Sequence, residues 1–268
     1  MSSKYEKLKS RLKGLGSVLI AYSGGVDSTL LLKAASDAAK EKILAVVAQS
    51  PTYSSEELES AVSVCKGLGI EYNVIQTDEF HNKKFVSNPT DRCYYCKREL
   101  FSKLAKIAKE RDIDFILDGS NYDDRMDFRP GGLAREEFGV RSPLSELKFT
   151  KQEIRDTSKM LGLPTWDKPS DACLASRVPY GTPLTPQVLK MVEEGEKYLR
   201  GMGFKQLRVR HHGTVARIEV NEESLPNLLH DEIRDDIYFK FKKLGYTYVS
   251  LDLKGYRTGS MNETHIPG

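Results

Sequence analysis

The sequence contains few cysteines, no long apolar run and no large excess of charge of either sign. Only four of its 268 residues are cysteine, and its net charge is +3. No apolar stretch approaches the length of about 20 residues that a membrane-spanning helix needs, and the polar segment Met1–Lys7 has no signal-peptide core. Without a secretory signal, cysteines indicate ligands or reactive thiols rather than disulfides. We therefore expect a cytoplasmic protein that makes no membrane contact.

The near balance of charge argues against a nucleic-acid partner. The chain has 41 basic and 38 acidic residues, whereas nucleic-acid-binding domains usually carry a marked basic surface. The content of hydrophobic residues, 39%, is ordinary for a globular protein. The length allows one large or two medium domains, each able to bury a core.

Strands alternate with helices through the first half of the chain. Apolar runs predict the strands, and amphipathic periodicity predicts the helices between them. The predicted strands are Ser17–Tyr22, Ile43–Ala48, Tyr72–Gln76 and Phe115–Asp118, and the predicted helices are Ser28–Ala39, Glu56–Leu68 and Lys97–Glu110. This order is typical of an α/β domain with a parallel sheet covered by helices on both faces. Such sheets bind ligands beyond the carboxyl ends of their strands.

The pattern changes after a further predicted helix, Thr150–Leu161. The stretch Pro164–Pro186 has little periodicity, which predicts a linker between two domains. Beyond it, a helix, a hairpin, a helical region and a strand predict a small α+β module; these elements are Gln187–Arg200, Gln206–His211, Val215–Val220, Glu222–Leu244 and Tyr246–Asp252. We therefore predict an α/β domain over 1–178 and an α+β domain over 179–268.

The stretch Ser23–Ser28, with the sequence SGGVDS, follows the first predicted strand and begins a helix. Its two glycines permit a tight turn and close approach to an anion. The helix start supplies free backbone N–H groups and the positive end of the helix dipole. The stretch lacks the lysine and the spacing of a Walker A loop. It predicts a phosphate-binding loop, and the alternative is an ordinary strand–turn–helix junction.

Three of the cysteines lie among polar residues. Cys93 and Cys96 form a C-x-x-C before a predicted helix, and Cys173 lies in the predicted linker. A redox dithiol, a zinc site completed by a histidine and an iron–sulfur cluster on three cysteines are all open readings. Cys173 could instead be a small buried residue. Cys65 lies on the apolar face of a predicted helix, and we interpret it as core packing.

The loop SGGVDS is similar to the PP-loop of the N-type ATP pyrophosphatases. Together with Gly119–Asp124, Arg129–Gly131 and Cys173–Arg177, it makes the chain resemble the LarE family over roughly residues 8 to 259. This family comprises ATP-dependent sulfur transferases that help make the nickel-pincer nucleotide cofactor of lactate racemase. The resemblance implies a PP-loop ATP pyrophosphatase fold and the use of ATP and Mg²⁺. It implies the nucleotide-binding residues Ala21, Ser23, Gly24, Gly25, Asp27, Ser28, Gly119, Asp124 and Arg129.

Cysteine usage divides the family. Some members have only the later cysteine and sacrifice its sulfur, which leaves dehydroalanine. This sequence departs from that type because it adds Cys93 and Cys96, as a cluster-bearing subgroup does. The resemblance therefore implies that Cys93, Cys96 and Cys173 are the catalytic residues and hold a 4Fe-4S cluster, whose unligated iron carries the sulfide to be delivered.

The resemblance also implies a reaction. A carboxylate of pyridinium-3,5-biscarboxylic acid mononucleotide is adenylylated, pyrophosphate leaves, and sulfur then replaces AMP to give a thiocarboxylate. Mg²⁺ and the loop N–H groups are expected to offset charge on the departing pyrophosphate. Asp27 is expected to hold the metal or to cap the helix beside it. Asp124 and Arg129 are expected to reach the nucleotide, with a solvated polar loop as the alternative.

A basic strand is the expected site for the substrate's phosphate. Arg208 and Arg210 alternate on a predicted strand, so their side chains project from one face. With Arg177 they could bind a phosphate through forked hydrogen bonds; the alternative is a solvated basic face. We assign no role to the adjoining His211 and His212. The resemblance adds Ser176, Glu196 and Glu219 to the residues of this site. Metal binding or positioning is open for Glu196 and Glu219, and the alternative is a charge on a helix or strand face.

Three other functions remain open at this point: tRNA thiolation by a PP-loop enzyme, amide synthesis with ammonia as nucleophile, and non-catalytic nucleotide binding. The first predicts a basic RNA-binding surface or a zinc-ribbon module, but the charge is near balance and the sequence has no C-x-x-C beyond Cys93–Cys96. The second leaves the three cysteines without a role. The resemblance further implies a sulfur donor, either sulfide or a desulfurase, and a downstream nickel-insertion protein. The C-terminal module is the expected surface for homo-oligomerisation.

Overall fold

The computed structural model describes residues 3–38, 42–125, 130–169, 172–257 and 259–262. The chain forms two compact units. One comprises Met1–Phe85 and Pro89–Asp171, and the other comprises Val86–Asn88 and Ala172–Gly268. Within the described ranges, no helix combines the length and the apolar character needed to span a membrane.

The first unit contains a four-stranded sheet whose pairings are all parallel. Its strands are β1 Val18–Ala21, β2 Ile43–Gln49, β3 Glu71–Gln76 and β4 Phe115–Asp118. The order is β3-β2-β1-β4. The chain thus adds β2 and β3 on one side of β1 and later places β4 on the other side. Crevices at such a reversal, beyond the carboxyl ends of the strands, are the usual ligand sites of α/β sheets. The predicted α/β architecture is confirmed.

Helices pack on both faces of this sheet because successive strand residues point to opposite sides. Val18 and Ile20 of β1 belong to one apolar cluster, and Leu19 belongs to another. The helices from the start of the chain to residue 171 are α1 Ser3–Lys13, α2 Val26–Asp37, α3 Ser55–Gly67, α4 Lys83–Val86, α5 Arg92–Glu110, α6 Gly131–Glu137, α7 Pro143–Glu146 and α8 Lys151–Met160.

Two of these helices begin at capping boxes. Ser54 caps α3, where its side chain accepts from the backbone N–H of Glu57 and the Glu57 side chain accepts from the Ser54 N–H. Thr150 and Glu153 form the same reciprocal pair at the start of α8. Each box satisfies two backbone donors that a helix start leaves unpaired. Local sequence thereby fixes where α3 and α8 begin.

The second unit is an α+β module, as its sequence pattern predicts. Its sheet has the order β5-β6-β7, with β5 antiparallel to β6 and β7 parallel to it. Its elements are α9 Pro186–Gly201, β5 Leu207–His212, β6 Val215–Val220, α10 Leu225–Leu228, α11 Asp231–Leu244 and β7 Tyr248–Leu251. The predicted helical region 222–244 is divided into a short 3-10 turn and two helices, with Pro226 in the first turn of α10.

Candidate functional site

The loop after β1 presents backbone donors at the start of α2. Gly24 has a φ of +70°, in the left-handed region that favours glycine. Gly25 is the N-cap of α2 and has no side chain that could accept from the first N–H groups of the helix; the Ser28 hydroxyl donates to the Gly25 carbonyl at 3.2 Å. The first N–H groups of α2 are therefore available at the positive end of the helix dipole. The hydroxyls of Ser23 and Ser28 lie 3.1 Å apart beside them. This geometry suits a phosphate group.

Gly119, directly after β4, lies against the same loop. A β-carbon at this position would be 2.8 Å from the backbone nitrogen of Ser28 and 2.9 Å from its α-carbon. The turns that follow β1 and β4 therefore approach each other more closely than a side chain permits. A β-carbon at Gly24 would lie 3.0 Å from that of Ala61 on α3. The loop is thus confined on two sides.

Asp27, on the first turn of α2, forms an ion pair with Lys151 of α8. The Lys151 Nζ lies 2.6 Å from Asp27 Oδ2. Burial raises the pKa of Asp27, and the Lys151 ammonium opposes that rise. Among the described residues, Asp27 Oδ1 is buried without a hydrogen-bond partner. A buried carboxylate oxygen with no partner fits Mg²⁺, which prefers oxygen ligands. The alternative role of helix cap is not observed, because Gly25 occupies that position.

The segment after β4 forms an ordered turn. Asp124 Oδ2 accepts from the backbone N–H of Asn121 at 3.0 Å. The Asn121 Oδ1 in turn accepts from the N–H groups of Asp123 and Asp124. Asp123 also accepts from the backbone N–H of Lys151 at 2.7 Å. This turn is therefore linked to the start of α8 through Asp123. The candidate Arg129 lies outside the described residues.

A pocket opens beside the loop at the carboxyl ends of β1 and β2. Most of its wall is apolar, which suits an aromatic base. Tyr53, Glu57 and Lys97 add polar groups to the pocket. The sequence marked Tyr53 as part of the segment Gln49–Tyr53 after a predicted strand, but it did not single out Glu57 or Lys97. The full lining is Ala21, Tyr22, Ser23, Val46, Val47, Ala48, Tyr53, Glu57, Leu58, Lys97 and Leu100.

A buried carboxylate shapes the turn before Tyr53. Glu79 is only 1% exposed, and its Oε1 accepts from the Ser50 hydroxyl at 2.6 Å and the Thr52 hydroxyl at 3.3 Å. The Ser50 hydroxyl also accepts from the Thr52 N–H. Sequence reasoning missed Glu79, since no local pattern marks a partner 29 positions away. These bonds hold the turn that leads from β2 to the pocket residue Tyr53.

The C-x-x-C lies inside a helix rather than before one. α5 begins at Arg92, earlier than the predicted Lys97, so Cys93 and Cys96 occupy its first two turns. Residues three apart lie on the same side of a helix, and Cys93 is exposed while Cys96 is half-buried. Two neighbouring thiols of this kind fit two ligands of an iron–sulfur cluster.

Cys173 belongs to the second unit, where it caps the 3-10 turn Leu174–Arg177 and is half-buried. Within the part of the chain that the structure describes, nowhere do three or more His, Cys, Asp or Glu side chains form a group that could hold a metal ion. Cys65 is fully buried in the apolar core, as expected, and burial raises the pKa of its thiol to about 11.

Arg177 and Glu196 form a buried ion pair in the second unit. Arg177 is 2% exposed and Glu196 is fully buried. The Arg177 Nε lies 2.9 Å from Glu196 Oε1, and its second terminal nitrogen lies 3.1 Å from Oε2. Burial opposes ionisation of Glu196, but the Arg177 guanidinium outweighs it, so the pKa of Glu196 lies below its usual value. Glu196 is therefore not a surface charge.

A second buried pair follows on β5 and β6. Arg210 donates to Glu219 Oε2 at 2.7 and 2.9 Å and to the Ser260 hydroxyl. It also donates to the backbone carbonyl of Ser176 at 3.4 Å. Arg208 stacks its guanidinium 5.1 Å from the centre of the Tyr256 ring. The alternative of a solvated basic face is wrong, because Arg208 and Arg210 are almost fully buried.

His211 and His212, which follow Arg210 on β5, differ in their exposure to solvent. His211 is buried, with its ring 5.7 Å from that of Tyr246, and burial lowers its pKa. His212 is exposed at the end of β5. The His211 Nδ1 lies 3.4 Å from the Tyr246 hydroxyl, and we assign neither histidine a role.

Comparison with known proteins identifies the family. Residues 4–93 match the family model described as NAD synthase. The pyridinium-3,5-bisthiocarboxylic acid mononucleotide synthase of Lactiplantibacillus plantarum is 39% identical over 98% of this chain and 95% of its own length. An uncharacterized protein of Synechocystis is 43% identical over 98% of both chains. The B subunit of a GMP synthase from Archaeoglobus fulgidus is 24% identical over 72% of this chain and 66% of its own.

The match to the Lactiplantibacillus synthase covers both units. The match to the NAD synthase model covers β1, the loop and the strands up to β3, which are the elements that build the phosphate-binding loop. With 39% identity over nearly the whole of both chains, this protein belongs to the LarE family of PP-loop enzymes.

Proposed function

We propose that this enzyme uses ATP to adenylylate a carboxylate of pyridinium-3,5-biscarboxylic acid mononucleotide, releases pyrophosphate and inserts sulfur to give the thiocarboxylate. The observation that carries the proposal is the uncapped start of α2 behind Gly24 and Gly25. The name of the Lactiplantibacillus relative, a synthase of the corresponding bisthiocarboxylic acid, supports the choice of substrate.

The loop would act on the phosphates of ATP. A substrate carboxylate oxygen attacks the α-phosphorus, and the bond to the bridging oxygen of pyrophosphate breaks. The N–H groups of α2 and the hydroxyls of Ser23 and Ser28 donate to the oxygens that gain charge in this step. Asp27 Oδ1 would hold Mg²⁺, which when bound neutralises phosphate charge. Sulfur then attacks the acyl carbon, and AMP leaves.

The pocket between the ends of β1 and β2 is the proposed site for the adenosine portion of ATP. Its apolar wall and Tyr53 offer a surface for the base. Ala21 and Ser23 connect the pocket to the phosphate-binding loop. Gly119 and Asp124, on the turn after β4, complete the proposed nucleotide residues, together with Arg129.

The second unit is proposed to bind the phosphate of the mononucleotide. Arg208, Arg210 and Arg177 supply the guanidinium groups, and Ser176 adjoins Arg210. Glu196 and Glu219 are each bound to an arginine, so we assign them the role of orienting these side chains rather than that of metal ligands. Domain limits of 1–178 and 179–268, and association of copies through the second unit, are part of the same proposal.

Sulfur delivery is proposed to depend on Cys93, Cys96 and Cys173. One supporting observation is the pair of thiols on the first turns of α5, with Cys93 exposed and Cys96 half-buried. The other is that Cys65, the fourth cysteine of the sequence, lies in the core. When bound, a 4Fe-4S cluster would supply a sulfide for transfer. Free sulfide or a desulfurase would replenish the sulfur, and a nickel-insertion protein would take the product.

Pyrophosphate release tests the adenylylation step. Protein purified without oxygen is given ATP, Mg²⁺ and the dicarboxylate mononucleotide, and pyrophosphate and thiocarboxylate are measured. Release of pyrophosphate only when the dicarboxylate is present supports the proposal. No release by the iron-loaded protein would exclude it. Formation of an amide with ammonia instead of a thiocarboxylate would favour the synthetase chemistry of the GMP synthase relatives.

Metal analysis tests the sulfur site separately. We expect iron and sulfide in protein purified without oxygen, with a thiolate-to-iron absorbance that disappears in Cys93→Ala. Cys65→Ala is the matched control, because its thiol is in the core and should not change the absorbance. Stoichiometric zinc in place of iron would contradict the cluster assignment.

A further inference from the structure

We infer that Lys168, a residue outside the loop, is a pyrophosphate-binding residue of this enzyme, and that Arg155 positions it. This inference rests on the proposed function and names a further group for the ligand that leaves ATP. It depends on how α8 and the segment after it contact the loop.

Two lysines reach the phosphate-binding loop from outside it. The Lys168 Nζ donates to the backbone carbonyl of Gly24 at 3.2 Å. The Lys151 Nζ lies 2.6 Å from Asp27 Oδ2. Their contacts therefore lie on either side of Gly25, the N-cap of α2. Both ammonium groups are thus held at the point where the loop offers its N–H donors.

The two lysines have different roles because their partners differ. Lys151 is paired with a carboxylate, so its charge offsets the negative charge that Asp27 would otherwise place beside the phosphates. Lys168 contacts a neutral carbonyl, and an ammonium group has three donors, of which this contact uses one. Its positive charge is therefore available to a phosphate, which is a stronger partner for it than a carbonyl.

Pyrophosphate needs such a cation. The start of a helix contributes about half of a positive charge, which is less than the charge of this anion. Lys168 adds a full charge next to the N–H donors of the loop. As the α-phosphorus–oxygen bond breaks, charge builds on the departing group, and a cation fixed at this place stabilises it.

Arg155 holds the segment that carries Lys168. Its two terminal nitrogens donate to the backbone carbonyl of Trp166 at 2.9 Å and to that of Lys168 at 2.7 Å. The Lys159 Nζ lies 4.7 Å from the centre of the Trp166 ring. Since Lys151, Arg155 and Lys159 are four apart, they lie along one side of α8. This side of α8 fixes both the segment and the loop.

Binding of inorganic pyrophosphate and of AMP, measured by isothermal titration calorimetry on the full chain, tests the assignment. Lys168→Met removes the charge and keeps most of the stem. We expect it to bind pyrophosphate about tenfold more weakly than wild type and to bind AMP equally well. Lys168→Arg should retain most of the affinity. Lys109→Met, at an exposed position of α5, is the matched control and should change neither affinity.

Arg155→Met tests positioning. If Arg155 acts through Lys168, this variant should also weaken pyrophosphate binding, and the double variant with Lys168→Met should be no weaker than Lys168→Met alone. Additive losses would show that Arg155 acts independently, and no loss in Arg155→Met would also exclude the positioning role.

Failure of this inference is distinct from failure of the proposed function. Equal pyrophosphate affinity of Lys168→Met and wild type, or no pyrophosphate binding by wild type, would overturn the assignment of Lys168. A wild-type protein that binds pyrophosphate through Lys168, but releases none from ATP in the presence of the dicarboxylate, would exclude the proposed reaction and leave the assignment standing.

Discussion

At the scale of single residues, Gly119 shows how closely the nucleotide site is packed. Its α-carbon faces the backbone of Ser28 at a distance that leaves no space for a β-carbon. Backbone atoms of the loop cannot move away without disturbing α2, since Ser28 lies in its first turn. Gly24 lies so close to α3 that an added β-carbon would be 3.0 Å from that of Ala61. The strain of any larger residue must therefore fall on the phosphate-binding loop.

Gly119→Ala should destabilise the first unit and reduce function together. Overpacking at a backbone contact costs about 1–3 kcal/mol, and the displaced loop should lose ATP-dependent pyrophosphate release. Urea unfolding and the release assay measure the two effects. Gly67→Ala is the control, because a β-carbon there meets nothing within 4 Å; at the end of α3 it should be neutral or stabilising by up to about 1 kcal/mol. Equal behaviour of the two variants would contradict the close contact.

At the scale of elements, α8 organises the residues around the loop. It begins at the cap residue Thr150, and its first residue, Lys151, binds both Asp27 through its side chain and Asp123 through its backbone N–H. The start of this helix thus connects α2 to the turn after β4. A substitution at the cap residue Thr150 should therefore change the position of Lys151 and weaken nucleotide binding.

Thr150→Ala should destabilise the protein by about 1 kcal/mol, the usual cost of losing an N-cap. Because Lys151 follows the cap, the same variant should raise the KM for ATP. Thr150→Ser keeps the hydroxyl, so its free energy of unfolding and its KM for ATP should both equal those of wild type. Urea unfolding and kinetics of pyrophosphate release give the measurements. A stability loss with unchanged KM would show that α8 does not position the loop.

Local sequence patterns were enough to predict some of these elements but not others. β1 and the loop were predictable because an apolar run ends in two glycines. The start of α5 was not, since its first turns contain Cys93, Tyr94 and Cys96 and lack an apolar period; Tyr94 is instead held by the Glu137 carboxylate. The contacts of Lys151 and Lys168 with the loop span 124 and 144 positions. No local signal marks such partners, because only the folded chain brings them together.

At the scale of the whole molecule, each unit has its own buried charges. The alternation of Arg208 and Arg210 on a strand was enough to predict a shared face. The burial of Arg210 was not predictable, because it depends on Glu219 supplying the opposite charge from β6, just as the burial of Arg177 depends on Glu196 of α9. A buried pair is costly to break from one side, since the remaining charge loses its partner inside the protein.

Glu196→Ala should therefore destabilise the second unit by about 3–5 kcal/mol, as measured by calorimetric unfolding. Glu194→Ala, on the same helix, is the control and should have little effect. The folded-state pKa of Glu196 is depressed, so its stabilisation is present above the ordinary glutamate pKa and is lost as pH falls through the lowered value. The difference between wild type and variant should shrink over that acidic range; a constant difference would contradict the ionised pair.

The reversal of strand order at β1 has a consequence for assembly of the protein. The loop at 23–28 is synthesised early, whereas Gly119 and Lys151, which lie against it, come after β4 in the chain. A fragment that stops before Phe115 therefore has the glycine loop and Ala61 of α3 but lacks Gly119 and Lys151. Nucleotide affinity should appear late during synthesis, as a sign that the last strand of the sheet is in position.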